Sequence, residues 1–238
     1  KETYKDGVKD GSFEDYRSDG QIRSKTSYKD GIKESSSMSF LYHDNGQLKE
    51  KLSLNDGKRD GPYESYYENG NLKSKESYEV WKNDFGSSYT RKDGPFEFYY
   101  ENGQLKEKGF FKGGESDGQW VSFHQNGNLK SKESYKNGKG DGIKDSYYDN
   151  GQLKSREPSI NGLKDGLWEY YLENGDLISR TSFKTSILHG PSESTYENGQ
   201  VKHKGSYRDG KEVGVWEYFY QSGQLKQRNS FKYGELDG

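Results

Sequence analysis

The chain has no cysteine in its 238 residues. That absence excludes disulfides, thiolate metal sites and thiol nucleophiles together, and it suits either the cytosol or the outside of a cell. Proline occurs four times and methionine once. Hydrophobic residues are only 27% of the sequence, with aromatics alone at 15%, so the Leu, Ile and Val of a thick globular core are missing. An excess of charge is missing too. Lys and Arg number 37 against 39 Asp and Glu, interleaved throughout, which leaves no basic field to attract nucleic acid. No apolar run approaches a membrane span, and Lys1 to Lys9 lack the apolar stretch of a signal peptide.

What the chain has instead is 21 Tyr, 11 Phe and 4 Trp, the wrong residues for a disordered segment. It also repeats. Turn glycines stand at Gly20, Gly46, Gly70, Gly103, Gly127, Gly151, Gly175, Gly199 and Gly223, most of them 24 residues apart. Seven of the nine are preceded by Asn, and the others by Asp19 and Ser222. An Asn-Gly loop of two residues with positive φ at both predicts a type I′ hairpin tip at each origin. A second turn follows about eleven residues later, as at Asp30-Gly31, Asp56-Gly57, Asn137-Gly138, Asn161-Gly162 and Asp209-Gly210. Two reversals per repeat predict an all-β fold: a twisted, elongated, single antiparallel sheet of about nine hairpins, some 90 Å along the stacking direction at about 4.8 Å per strand.

Counting from the turn glycine, the hairpin register sorts the residues into two faces. One takes an aromatic at −7 (Phe13, Tyr63, Phe96, Trp120, Trp168, Trp216), a ring at −3 (Tyr67, Tyr100, Tyr148, Tyr196, Tyr220), an aliphatic at +2 (Leu48, Leu72, Leu153 and their equivalents) and a ring at +8 (Tyr28, Tyr78, Phe111, Phe183). The other sets an acid at −6 (Glu14, Glu64, Glu97, Asp145, Glu169, Glu193, Glu217) across from a base at +5 that all nine copies carry. A second ring ladder at −4 runs between these charges: Tyr16, Tyr42, Tyr66, Tyr99, Phe123, Tyr147, Tyr171 and Phe219, flanked by lysines such as Lys73 and Lys154. Copies two, six and eight put Ser39, Lys144 and Ser192 in the −7 ring slot, which predicts weaker packing there. Pro158 lacks a ladder donor and predicts an irregular or bulged strand.

The unit Asp165-Gly166-Leu167-Trp168-Glu169-Tyr170-Tyr171-Leu172-Glu173-Asn174-Gly175, followed by Leu177, Arg180 and Phe183, resembles the bacterial variant of the MORN repeat, and the resemblance covers essentially the whole chain. It implies stacked hairpins that each touch only their neighbours. It also implies a choice of functions: scaffolding, phospholipid association, antitoxin or immunity roles, and repeat regions of bacterial surface proteins.

No residue cluster asks for an enzyme. His43 and His124 fill a slot that holds Tyr elsewhere, and no two histidines fall at metal-ligand spacing, so neither a metal nor a cofactor is expected. Ser and Asp recur at what read as surface slots of every copy rather than gathering. Glycine-rich stretches such as Gly113-Gly114 precede no helix that could bind phosphate and read as turns.

The one irregularity is a 33-residue step between Gly70 and Gly103, with the excess near 80–91. It carries Trp81, Phe85 and Tyr89. Large rings on a projecting loop are favoured partner anchors, while a lengthened hairpin whose rings cover its own base is the competing expectation. The first functional reading is a non-catalytic bacterial surface or secreted scaffold that offers an extended Tyr/Lys/Glu face to protein or glycan. Its candidate contacts are Trp81, Phe85, Tyr89, Tyr66, Tyr99, Phe123, Tyr147 and Tyr171. The alternatives are a cytosolic antitoxin or immunity protein and, third, a phospholipid-surface binder, which balanced charge weakens. The sequence starts and stops inside a repeat, with Lys1 in a basic slot and Asp237-Gly238 opening a tenth copy. That predicts a section of a longer array, or ends that associate with a neighbouring molecule.

Overall fold

The computed structural model describes residues 2–237. Lys1, expected in the basic slot, and Gly238, expected in a tenth copy, lie outside them. The described residues form an all-β protein without a helix, antiparallel in every pairing.

The chain divides between Ser116 and Asp117 into two compact units. In the first, a short hairpin of Tyr4–Lys5 and Val8–Lys9 precedes four longer ones: Gly11–Tyr16 with Ile22–Lys29, Ile32–Tyr42 with Leu48–Asn55, Lys58–Tyr66 with Leu72–Lys82, and Gly94–Tyr99 with Leu105–Lys112. The second holds five: Gly118–Phe123 with Leu129–Lys136, Gly142–Tyr147 with Leu153–Ile160, Gly166–Tyr171 with Leu177–Lys184, Ile187–Thr195 with Val201–Arg208, and Lys211–Phe219 with Leu225–Lys232. Within each unit every long hairpin pairs with the next, and among the described residues the outermost strands do not pair with each other, so each sheet is open.

The predicted acid–base register holds. Glu14 pairs with Lys25, Asp145 with Arg156 and Glu217 with Arg228. The next copy continues the file, since Lys75 faces Glu64 and also Glu97, and Arg180 faces Glu169 and also Glu193. Lys75, Arg156, Arg180 and Lys204 thus each stand between two acids, which a single hairpin cannot reveal.

The hairpin tips differ from the expected type I′ loop. Among the described residues the Asn of each Asn-Gly tip is absent from the positive-φ positions, whereas its glycine lies at φ near 85°, as in Gly103. The Gly175 N–H donates to the Leu172 carbonyl at 2.9 Å, and the Leu172 N–H donates to the Asp176 carbonyl at 2.8 Å. This is a three-residue loop, a type I turn closed by a glycine bulge. Asn is selected there for its amide. Asn150 Oδ1 accepts the Gln152 N–H at 2.9 Å while its Nδ2 donates to the Glu173 carbonyl of the next tip at 2.9 Å, and Asn126 and Asn198 repeat the second contact. The type I′ geometry belongs to the other turn, where Asp30, Asp56, Asn137, Asn161 and Asp209 all have φ near 50° and a positive-φ glycine follows.

Each tip adds a register shift. In the seventh copy Tyr170 (−5) faces Ser179 (+4), but Tyr171 (−4) faces Leu177 (+2), so the +3 residue is bulged out of the pairing. Directly paired residues share a face. The +2 aliphatics therefore lie with the −4 rings and the charge file, not with the −7 rings as expected. The +3 lysines move the other way, onto the −3 rings: Lys73 Nζ is 5.6 Å from the Tyr67 ring centroid and Lys154 Nζ is 5.4 Å from that of Tyr148.

The aromatic face is packed by diagonal ring pairs between −7 and +8, as in Phe13–Tyr28 (4.8 Å), Phe96–Phe111 (5.1 Å) and Trp168–Phe183 (5.8 Å). Tyr4 meets Phe13 edge-on at 5.6 Å, and Asp6-Gly7 makes the turn that the register predicts. Beneath the rings, and not at the surface as expected, lies a file of serines. Ser65, Ser74, Ser155 and Ser192 are buried, and Ser65 and Ser74 share a hydrogen bond of 2.7 Å across the strands. Small side chains let the flanking rings close over the sheet, and the hydroxyls satisfy one another.

Pro158 leaves its own hairpin regular, paired with Ile143. Equivalent +7 positions occupied by Ser53 and Ser182 are skipped in the pairing to the next copy. Proline occupies a bulge that other copies already have, where no ladder N–H is lost.

Candidate functional site

The inserted segment is a lengthened hairpin. Leu72–Lys82 runs on past the usual turn and pairs with Ser88–Lys92, Trp81 facing Tyr89 and Glu79 facing Arg91. Alternation along the uninterrupted strand from Tyr78 puts Trp81 and Tyr89 on the face of the charge file and the −4 rings. In the first unit, Trp81, Tyr89, Tyr66 and Tyr99 thus share one face. Phe123, Tyr147 and Tyr171 take the same register positions in the second unit.

The ends of this hairpin are built differently. At its base, Arg91 pairs with Glu79, and its guanidinium lies 5.4 Å from the Trp81 ring centroid. Trp81 and Tyr89 stack at a tilt with centroids 6.2 Å apart. Arg91 is not among the residues singled out from the sequence; the alternation of charged and aromatic residues on the two inserted strands is the signal that marks it. At the tip, the Gly86 N–H donates to the Asn83 carbonyl at 2.9 Å and the Asn83 N–H to the Ser87 carbonyl at 3.0 Å, the same loop as the repeat tips. Here Phe85 occupies the slot that elsewhere holds Asn. The structural task of that slot passes to Asn83, whose Oδ1 accepts from the backbone of Phe85 and Ser87. Phe85 is 93% exposed, with Tyr89 at 54% and Trp81 at 42%.

The −4 rings are held more firmly. Tyr66 donates to Glu64 at 2.9 Å and Tyr99 to Glu97 at 2.5 Å. Burial, reinforced by these carboxylates, pushes both phenols up to about 12. Burial and the Glu169 charge raise Tyr171 as well. In the first unit, Tyr66 and Tyr99 are thus held among the charges on the face that also carries Trp81 and Tyr89.

The histidines take structural positions. His43 Nε2 lies 3.0 Å from the Tyr66 carbonyl and His124 Nε2 lies 3.0 Å from the Tyr147 carbonyl. The −3 tyrosines make the same inter-repeat contact, Tyr67 to Tyr99 and Tyr148 to Tyr171, each at 2.8 Å. His203 packs against Trp216 at 5.9 Å, and burial, then the Lys202 charge, lowers its pKa.

The MORN repeat variant profile matches nine times, at residues 9–30, 39–56, 59–79, 92–112, 116–137, 141–161, 164–185, 188–209 and 212–233. The chain belongs to the MORN repeat variant family. The inserted hairpin lies between the third and fourth MORN matches, so Trp81, Phe85 and Tyr89 stand outside the family pattern. No curated protein matches the chain. Among solved structures it is similar to parts of TcdB2-TccC3-TEV (12% identity, TM-score 0.27) and TcdB2-TccC3-Cdc42 (9% identity, TM-score 0.16). Each alignment covers 93% of this chain, which spans 14% and 18% of the respective structures.

Proposed function

We propose that this MORN-variant protein is a non-catalytic interaction module whose inserted hairpin anchors a partner protein. One observation carries the reading. Phe85 stands 93% exposed in a slot where the fold prefers Asn, and another residue has taken over the work of that Asn. An exposed ring that contributes nothing to its own turn has binding as its remaining use. Trp81 and Tyr89 extend the contact down the hairpin, and Tyr66 and Tyr99 lie on the same face of the unit. Arg91 holds Trp81 in place, which lowers the ordering cost on association.

The test is site-specific photo-crosslinking in the cells that make the protein, with a benzophenone side chain at position 85 and a control at the exposed Tyr220. A discrete adduct at 85 that disappears with Trp81→Ser and Tyr89→Ser, while the fold is kept, is expected. Labelling equal at both positions, or unchanged by those substitutions, would remove the hairpin from the interaction.

A further inference from the structure

The second unit contains a break in the ring file, and the break has built a groove. The sixth copy is the only one of the nine with polar residues in both ring slots, Lys144 at −7 and Ser159 at +8. Its neighbours keep their rings, so Tyr135 of the fifth copy and Trp168 of the seventh both line the gap. Between them lies a cleft of about 290 Å³ floored partly by Gly140, Gly142 and Gly162. A second cavity of about 430 Å³ adjoins it toward the hairpin tips, sharing Lys144 and Glu157 and reaching His124 and Tyr170. Together they make a trough along the sixth hairpin, with rings on both sides and polar groups along its length.

The walls are fixed. Trp168 Nε1 donates to the Pro158 carbonyl at 2.8 Å, and Lys164 Nζ stands 4.0 Å from the Trp168 ring centroid. Lys144 is 3.1 Å from Glu133. The charges decide what the trough can hold. In the first cleft, between the two rings, two lysines, Lys144 and Lys164, are matched by two glutamates, Glu133 and Glu157, so that cleft has no net attraction for an anion or a cation; Lys130 and Lys154 line only the adjoining cavity. Four charged groups would be desolvated without compensation by a hydrocarbon. The complementary ligand is uncharged, carries many hydroxyls to bond carboxylates and ammoniums, and has apolar C–H faces to lie against Tyr135 and Trp168. A chain of pyranose rings has that chemistry, and two adjoining cavities suit more than one ring. Cavities of this size fall near the lower end of small-molecule sites, roughly 300 to 1,000 Å³.

We propose that the sixth-copy trough binds a neutral oligosaccharide, stacked between Tyr135 and Trp168 and hydrogen-bonded by Lys144, Glu133 and Glu157. The site is separate from the inserted hairpin, and its failure would leave the interaction reading above untouched.

The test is NMR titration of the full chain with maltotriose, cellotriose and triacetylchitotriose, following the Trp168 indole N–H. Inorganic phosphate and free indole serve as controls. At least one saccharide is expected to give a saturable shift with a Kd on the order of 1 mM. Lys144→Trp with Ser159→Tyr, which restores the rings that the other copies carry, should weaken it by about tenfold or more. Glu157→Gln, which leaves every ring in place, should weaken it as well and guards against misfolding of the filled variant. No saturable shift with any saccharide at about 20 mM, or binding unchanged in both variants, would overturn the proposal. So would a response to phosphate or indole alone, the latter marking a socket for a partner's aromatic side chain.

Discussion

Trp216 lies directly against Gly205, so closely that a Cβ added to the glycine would overlap the indole ring. Gly205 pairs with Ser192, the residue that stands in the eighth copy's ring slot. The ninth copy's indole thus covers the strand where the eighth lacks its own ring, and Trp216 is left only 2% exposed. Gly205→Ala should displace the indole and cost about 1 to 3 kcal/mol, the usual range for overpacking. The check is the urea midpoint at unchanged slope, together with the Trp216 indole resonance. An unshifted midpoint would mean that the ring moves aside freely.

The two kinds of turn make opposite demands on Asn. Asn150→Gly removes both an acceptor for the Gln152 N–H and a donor to the Glu173 carbonyl. It should cost about 1 kcal/mol or somewhat more. Asn161 already sits at φ 50° in a type I′ turn. Asn161→Gly relieves a left-handed conformation and should be close to neutral. Denaturation of the two variants side by side decides it, and equal losses would contradict the turn assignment.

The −3 hydroxyls tie one copy to the next. Tyr148→Phe loses the hydrogen bond to the Tyr171 carbonyl and should cost about 0.5 to 1.5 kcal/mol. Tyr148→His should retain most of that stability, because His124 makes the same contact to Tyr147 in the preceding copy. A histidine variant no more stable than the phenylalanine variant would show that the ring's packing matters and its hydrogen bond does not.

Acid should weaken the fold. Hydrogen bonds from Lys25 and Tyr16 hold Glu14 down at about 2. Arg228 and Lys204 hold Glu217 low. Burial would raise Glu64, but hydrogen bonds from Tyr66 and Lys51 outweigh it. A carboxyl with a depressed folded-state pKa stabilises the fold above its unfolded value of about 4, and that contribution disappears as pH falls toward 2. Urea midpoints should fall between about pH 5 and 2, less steeply in Glu14→Gln. The phenols run the other way. Tyr66, Tyr78, Tyr99 and Tyr170 are pushed up to about 12, mainly by burial. Their contribution is complete below the ordinary value of about 10 and is lost as pH rises through 12. A pH-independent midpoint across either window would contradict the assignment.

The sequence alone determined the period, the antiparallel hairpins and the acid–base register, because each depends on residues a fixed distance apart along one hairpin. It also placed His43 and His124 in tyrosine slots, since a repeat shows substitution at sight. The tertiary structure decided what depends on a single skipped residue or on the neighbouring copy. One bulge at +3 sends the +2 leucines and the +3 lysines to opposite faces, and alternation along the strand carries no mark of it. Asn-Gly is compatible with both a two-residue and a three-residue loop, and the amide's bond to the next tip exists only once copies stack. Lys144 was visible as a departure, but the loss of Ser159's ring beside it became a groove only because Tyr135 and Trp168 come from different hairpins. Their separation is set by sheet packing and not by any spacing in the chain.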